Sequence, residues 1–224
     1  MDNAVRFDSI KMLKNGAKAW SMDQEAVDLN SYLYAEKLWL AKIQETLDGE
    51  EQSRNFKEEA EKLKTKIQES MFDEESGYFY DAEIGNEQLV KVKGPEGWIP
   101  LWTGVANKSQ AAAVKDIVLS NETFSTFVPF PTLDASHPAY SPSKGYWRGD
   151  VWLDQAYFGI EGLKRYGYTS EAEELKNRIL NNSKGLLESD APIYENYDPT
   201  NGDPLKAPHF SWSAGHLLLL LKNK

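Results

Sequence analysis

Apolar residues recur at helical spacing from Val27 to Leu47, where Leu29, Leu33, Leu40, Ile43 and Leu47 stand among Tyr32, Tyr34 and Trp39. They fall on more than one face, so the pattern predicts a helix buried on both sides. Beyond Gly49, the stretch Ser53 to Met71 carries Phe56, Ala60, Leu63, Ile67 and Met71 at spacings of three and four, with Lys and Glu between them. That spacing predicts an amphipathic helix with Phe56, Leu63 and Ile67 facing inward and the charged residues facing water. The alternation then repeats. Gly97 to Ala106 is apolar and Trp-rich and Ser109 to Leu119 is amphipathic; Val151 to Tyr166 is apolar and Ser170 to Leu187 is amphipathic. A last apolar helix, Trp212 to Leu221, has no outer partner.

A buried helix alternating with a half-exposed one is what concentric inner and outer rings of helices require, whereas a simple bundle makes every helix amphipathic. The chain therefore reads as all-α, an α/α toroid. A helical-repeat solenoid is the runner-up, but its hairpins would share one length and one pattern, and these do not. The pattern yields about seven helices, roughly three and a half hairpins, too few to close a six-hairpin ring. The long connections, Phe72 to Glu96, Ser120 to Ser143 and Glu188 to Pro208, are rich in Gly, Pro, Asp and aromatics, and loops of this length in a compact domain usually carry function.

Composition narrows the partners. With 224 residues, of which 41% are hydrophobic, the chain can bury a sizeable core. A net charge of -10 argues against nucleic acid or an anionic membrane surface, both of which need a basic face. The absence of cysteine removes disulfides and thiol nucleophiles, and His137, His209 and His216 form no local metal-ligand cluster. No apolar run is long enough to span a membrane, and Met1-Asp2-Asn3 lacks the order of a signal peptide. Leu217 to Leu221 reads as core. Sequons at Asn107, Asn121 and Asn181 carry no weight without a secretory route, so no compartment is assigned.

The densest chemistry lies in the last third. Gly145-Tyr146-Trp147-Arg148-Gly149-Asp150-Val151-Trp152 is followed by Pro192-Ile193-Tyr194-Glu195-Asn196-Tyr197-Asp198-Pro199 and by Phe210-Ser211-Trp212-Ser213-Ala214-Gly215-His216. Each block sets charged or amide groups among aromatics near a turn, a composition suited to stacking on sugar rings beside a carboxylate. Asp2 supplies a second carboxylate far away in sequence, and glycoside hydrolysis needs two. Asn196 is placed to orient the Glu195 carboxylate, and Arg148 to favour its charged form or hold the sugar. Trp98, Trp102, Trp147, Trp152 and Trp212 divide between core and pocket, with Trp98 and Trp147, at loop-to-helix junctions, expected as pocket walls. Arg148-Gly149-Asp150 is an adhesion tripeptide only by composition, being flanked by Trp147 and Trp152. Asp198 to Asp203 has calcium-like oxygens but lacks the spacing and closing Glu of an EF-hand, so a turn explains it better.

Seven motifs in order now support a family. Met1-Asp2-Asn3-Ala4 with Arg6-Phe7, Val27-Asp28-Leu29-Asn30, Ser76-Gly77-Tyr78-Phe79-Tyr80-Asp81, Gly97-Trp98-Ile99-Pro100-Leu101-Trp102, Tyr146-Trp147-Arg148-Gly149, Glu195-Asn196-Tyr197 and Phe210-Ser211-Trp212-Ser213 span nearly the whole chain. The chain resembles the C-terminal part of the catalytic domain of glycoside hydrolase family 63, the processing α-glucosidases, with the bacterial members nearest. The resemblance implies an (α/α)6 barrel of which the C-terminal half to two-thirds is present, so that residues 1–224 are one partial catalytic domain. It implies hydrolysis of an α-glycosidic bond with inversion, without metal or cofactor, in an oligosaccharide or small glycoside. Asp2 matches the family's general acid and Glu195 its general base; Trp98, Trp102, Trp147, Arg148, Asn196 and Trp212 are the expected substrate-binding residues. The family's Glu-Ser-Gly before Met-Asp-Asn and the first half of the barrel are missing, which makes a fragment, or a gene read from an internal methionine, the expected origin. Two alternatives stand: a non-catalytic half-barrel that packs with a missing half, another chain or itself through an uncovered apolar face, and a related hydrolase of mannosylglycerate or trehalose.

Overall fold

The computed structural model describes residues 3–86 and 88–222, apart from the side chains of Asp48 and Gln52. Helix α1 (Val27–Asp48) starts where the Asp81 carboxylate accepts the Val27 N–H at 2.8 Å, a cap supplied from a distant segment. It stops at Gly49, whose φ of 97° reverses the chain directly into α2 (Glu50–Ser70). In α2, Ala60 and Ile67 are buried, Phe56 and Leu63 half-buried, and Glu58, Glu61, Lys62 and Lys66 exposed, which matches the two-faced pattern in the sequence. A 3-10 turn at Pro95–Trp98 leads into α3 (Ile99–Thr103), and α4 (Lys108–Leu119) opens with a reciprocal capping box between Asn107 and Gln110. Helices α5 (Leu153–Arg165), α6 (Thr169–Asn182) and α7 (Ser211–Lys222) complete the helical set.

Helix α1 packs on α2 and α3, α3 on α5, and α5 on α6 and α7. The inner helices α1, α3, α5 and α7 thus form an open arc with the amphipathic helices outside it, part of an (α/α)6 toroid. One expectation is corrected here: α1 is not buried on both sides. Val27, Tyr34 and Ala41 are buried, but Leu29 (67% exposed), Trp39 (63%), Ile43 (55%) and Leu47 (75%) face outward. Helix α3 covers one flank of α1, which lies at one end of the arc; α7 lies at the other end and exposes Leu218 (69%).

Short strands occupy the connections. Strands β1 (Met12–Lys14) and β2 (Trp20–Met22) form a projecting hairpin; β3 (Gln24–Glu25) pairs with β6 (Asp81–Glu83), which pairs with β7 (Leu89–Val90). Strands β4 (Phe72–Asp73) and β5 (Tyr78–Phe79) form a second hairpin, and β8 (Tyr194–Tyr197) with β9 (Pro204–Pro208) a third, all antiparallel. Runs of two to five residues are too short for hydrophobic alternation to register, and the sequence pattern did not foresee them.

The core is aromatic where the arc meets these hairpins. Trp98 packs edge-on against Phe124 and Phe130, at centroid distances of 5.1 and 5.3 Å, and Tyr78 stacks on Phe124 at 6.0 Å. Gly97 is required here, because a Cβ at that position would lie 2.0 Å from the Tyr78 ring. That ring is fully buried and its hydroxyl donates to the Gly94 carbonyl at 2.7 Å, so it has no room to yield. Gly97→Ala is therefore expected to lower stability by about 1–3 kcal/mol, read as a lower urea midpoint at unchanged m-value; an unchanged midpoint would show that the core repacks freely.

Beneath the core surface lies an ion cluster. Arg6, in a 3-10 turn at Val5–Phe7, pairs with Asp28 of α1 and Asp81 of β6, each at 2.9 Å, and approaches Glu96 at 3.8 Å. One guanidinium faces three carboxyls, and burial, only partly offset by Arg6, pushes Glu96 up to about 8. Its ordinary value is 4.5, so the folded chain binds that proton more tightly than the unfolded chain. Glu96 therefore withdraws stability as pH rises from about 4.5 to about 8. In urea titrations across that range, the difference between native protein and Glu96→Gln should grow steadily with pH in favour of the variant; a flat difference would contradict the proton's retention.

Candidate active site

The Glu195 hairpin is built from backbone pairing with an irregularity at the point of interest. Tyr194 pairs with Pro208 and Asn196 with Leu205, so β9 carries an extra residue opposite Glu195. Lys206 takes up the bulge with φ of 63°, and the Ala207 N–H reaches the Glu195 Oε2 at 3.4 Å. Glu195 Oε1 accepts the Tyr146 hydroxyl at 2.6 Å, and the Glu195 carbonyl accepts the Ser213 hydroxyl at 2.8 Å from the first turn of α7. Tyr146 and Ala207 thus hold the half-buried carboxylate itself, and Ser213 holds its main chain.

Tyr146 stands in the turn Gly145–Arg148, itself at φ of 59°, a left-handed conformation that a bulky residue adopts only when its surroundings hold it there. Trp147 stacks on Trp152 at 4.2 Å with an interplanar angle of 9°, and Tyr146, Phe210 and Trp212 surround Trp152 at 5.1, 6.4 and 5.7 Å. Trp147 and Trp152 are buried, whereas Trp212 is 47% exposed and offers an open aromatic face beside the Glu195 hairpin. The Lys206 ammonium lies over the Tyr146 ring, 5.8 Å from its centroid.

The same hairpin buries further polar groups. Asn196 is fully buried with neither amide atom hydrogen-bonded. Asp150 is fully buried; burial pushes its carboxyl up to about 6, with Asp198 and Glu195 adding to the rise and the Ser143 N–H and Lys206 opposing it. The Asp198 to Asp203 stretch closes the hairpin as an Asx turn, Asp198 Oδ1 accepting the Thr200 N–H at 2.8 Å and its hydroxyl at 2.6 Å.

Of the residues expected at the site, Trp147, Asn196 and Trp212 gather on or beside the Glu195 hairpin. Arg148 belongs to the same turn, but its guanidinium is turned onto the Asn3 carbonyl at 3.0 Å and Asp8 at 2.6 Å. Trp98 lies in the core, 1% exposed, its indole N–H donating to the Gln155 carbonyl, and has no open face to line a pocket. Trp102 is half-buried against Tyr32 and Phe158 in a cleft with Trp39 and Arg165, away from the Trp147 cluster. Asp2 lies outside the described residues. Asn3, which follows it in sequence, is anchored on the site's turn: its amide donates to the Gly145 carbonyl at 2.9 Å and accepts the Trp147 N–H at 3.2 Å. Sequence reasoning missed Tyr146 as the partner of Glu195 and Asp150 as its buried neighbour; both stand in the Gly145 to Trp152 block that supplied Trp147 and Arg148.

The family model for the mannosylglycerate hydrolase MGH1-like glycoside hydrolase domain matches residues 2–213. The chain belongs to this family. It is 33% identical over 193 residues to a mannosylglycerate hydrolase of Rubrobacter radiotolerans, covering 84% of this chain and 42% of the relative. Among solved structures it superposes on a glycoside hydrolase family 63 mannosylglycerate hydrolase of Thermus thermophilus, in complex with Tris, with a TM-score of 0.73 at 23% identity, over 90% of this chain and 46% of that one. The neutral trehalase Nth1 of Saccharomyces cerevisiae gives a TM-score of 0.75 at 25% identity, over 90% of this chain and 38% of that one. The chain is thus a glycoside hydrolase family 63 toroid segment, and it spans less than half the length of these relatives.

Proposed function

We propose that the chain supplies both catalytic carboxylates of an inverting α-glycosidase, with Glu195 as base and Asp2 as acid. The observation that carries the reading is the Glu195 carboxylate. Tyr146 fixes its Oε1 at 2.6 Å, while Oε2 has only the long contact to the Ala207 N–H, at 3.4 Å, and remains available to a water molecule. In this reaction Glu195 takes a proton from water as the water oxygen bonds to the anomeric carbon. The glycosidic bond breaks on the opposite face, and Asp2 gives its proton to the departing oxygen. Asp2 takes this role from its place in the Met-Asp-Asn segment, and the anchorage of Asn3 beside Trp147 is consistent with it. Trp212 is the proposed sugar platform, with Trp147 behind it, and the Tyr146 hydroxyl, not the Asn196 amide, orients the carboxylate.

The substrate is proposed to be a small α-glycoside. The names of the relatives favour mannosylglycerate, ahead of the α-glucosides that the motifs alone suggest, with trehalose third. The test is a hydrolysis panel of these three substrates, using the longest natural reading frame that contains residues 1–224, with the released anomer followed by NMR. First release of the β-anomer of the attacked sugar supports the reading, which for trehalose means equal amounts of β- and α-glucose because the leaving unit keeps its configuration; release of the α-anomer alone, or no release from any of the three, refutes it. A non-catalytic half-barrel is the reading that the second outcome would leave.

A further inference from the structure

The turn that carries Tyr146 is held in a conformation its own residues do not favour. Ser143 and Tyr146 both lie in the left-handed region, with φ of 64° and 59°. Neither is glycine, so such a turn persists only where its surroundings fix it. Asp150 grips it at both points. Its Oδ1 accepts the Ser143 N–H at 2.7 Å, and its own N–H donates to the Tyr146 carbonyl at 3.1 Å. The Thr132 hydroxyl steadies this clamp by donating to the Asp150 carbonyl at 2.9 Å. Asp150 is fully buried, so water does not compete for these bonds.

The next residue ties the clamp to the strand of Glu195. Val151 exchanges two hydrogen bonds with Tyr197 of β8, at 2.8 and 3.0 Å, and Glu195 stands two residues before Tyr197. One closed path therefore runs from the Glu195 strand through Val151 and Asp150 to the turn, and returns through the Tyr146 hydroxyl to Glu195 Oε1 at 2.6 Å. Burying a carboxyl is a costly way to fill space, and among the described residues Asp150 Oδ2 has no hydrogen-bond partner. An apolar side chain would pack there at lower cost but could not accept the Ser143 N–H.

We infer that Asp150 is a positioning residue for the hydrolysis: by fixing Ser143 and Tyr146 it aims the Tyr146 hydroxyl at the Glu195 carboxylate and so sets the angle of the base toward water. The inference rests on Glu195 being the base, as proposed above, and requires nothing of the acid.

Dependence on Tyr146 separates positioning from general support of the fold. Tyr146→Phe, Asp150→Leu and the double variant are made in the longest natural reading frame, with native circular dichroism required of each. They are assayed on whichever of the three panel glycosides the unsubstituted protein hydrolyses. Each single variant is expected to lower kcat about 10- to 30-fold at nearly unchanged KM. In the Tyr146→Phe background, Asp150→Leu should lower kcat by less than about 3-fold more, because the hydroxyl it aims is already gone. Losses that multiply overturn the inference, as does undiminished kcat in either single variant. Asp150→Asn, whose amide oxygen can still accept the Ser143 N–H, is expected to recover most of the loss seen in Asp150→Leu; an equal loss assigns the effect to charge and likewise overturns the inference. If Asp150→Leu does not fold, Asp150→Ala, which removes the acceptor and adds no bulk, takes its place. Should the unsubstituted protein hydrolyse none of the three glycosides, or Glu195→Gln keep full turnover, the proposed function itself falls, a result distinct from any in the Asp150 variants.

Discussion

Replacing Glu195 by Gln is expected to lower turnover about 10³-fold in the longest natural reading frame, with the melting temperature and KM nearly unchanged. The amide keeps the shape of the side chain, and its oxygen still accepts the Tyr146 hydroxyl that lies 2.6 Å from the carboxylate. What it loses is the capacity to take a proton from water, so the attacking oxygen must develop positive charge in the transition state. Substrate binding, proposed to rest on the aromatic face of Trp212, should be spared. The measurement is initial-rate kinetics on whichever panel substrate the protein hydrolyses, with thermal melts alongside. Undiminished turnover removes Glu195 from the chemistry; a fall that comes with a lost melt reports misfolding, and Glu195→Asp, which keeps a carboxylate about one methylene short of its place, then tests the role by partial activity.

Expressed as 224 residues alone, the polypeptide is expected to self-associate and to show turnover at or below detection. The exposed faces of α1 and α7 account for both. Leu29, Leu33, Leu40, Ile43 and Leu47 lie on α1 and Leu218 and Leu219 on α7, all exposed, at the two ends of the open arc. Burying a leucine-sized side chain is worth about 1.5–3 kcal/mol, so a stripe of them makes association strongly favourable in water. Sedimentation velocity over a concentration series should show a mass that rises with concentration, and charged replacements at Leu29 and Ile43 should shift it toward monomer. Supplying the complementary toroid half should relieve association and raise turnover together, because the same surface closes the ring and completes the cleft. A monodisperse, fully active monomer would refute both the surface argument and the need for a complement.

Much of the helical scaffold was legible in the sequence. Helix α2 was readable to the residue level because a solvated helix records its environment in its own period: Ala60 and Ile67 are buried and Lys62 and Lys66 wet, as the spacing requires. Helix α1 was readable as a helix but not in its surroundings, since an apolar residue at Leu29 or Leu47 is written the same way whether a neighbour covers it or not. Among the tryptophans, type and position at a helix start could not separate Trp98 from Trp212. The first is closed in by Phe124 and Phe130 from a distant connection, and the second is left open at the start of α7.

By itself the sequence determined where the main helices lie, the two-faced pattern of α2 and the setting of Glu195 between Tyr194 and Tyr197, because each is encoded within a few turns of chain. Tertiary structure alone decided which groups meet across the fold. It brought Tyr146 to Glu195 over 49 residues and Arg6 to Asp81 over 75, and it turned Arg148 away from the carboxylate onto Asn3 and Asp8. Such contacts depend on how the long connections fold back on the arc, and the energies that fix them are burial and hydrogen bonding between segments that carry no common period.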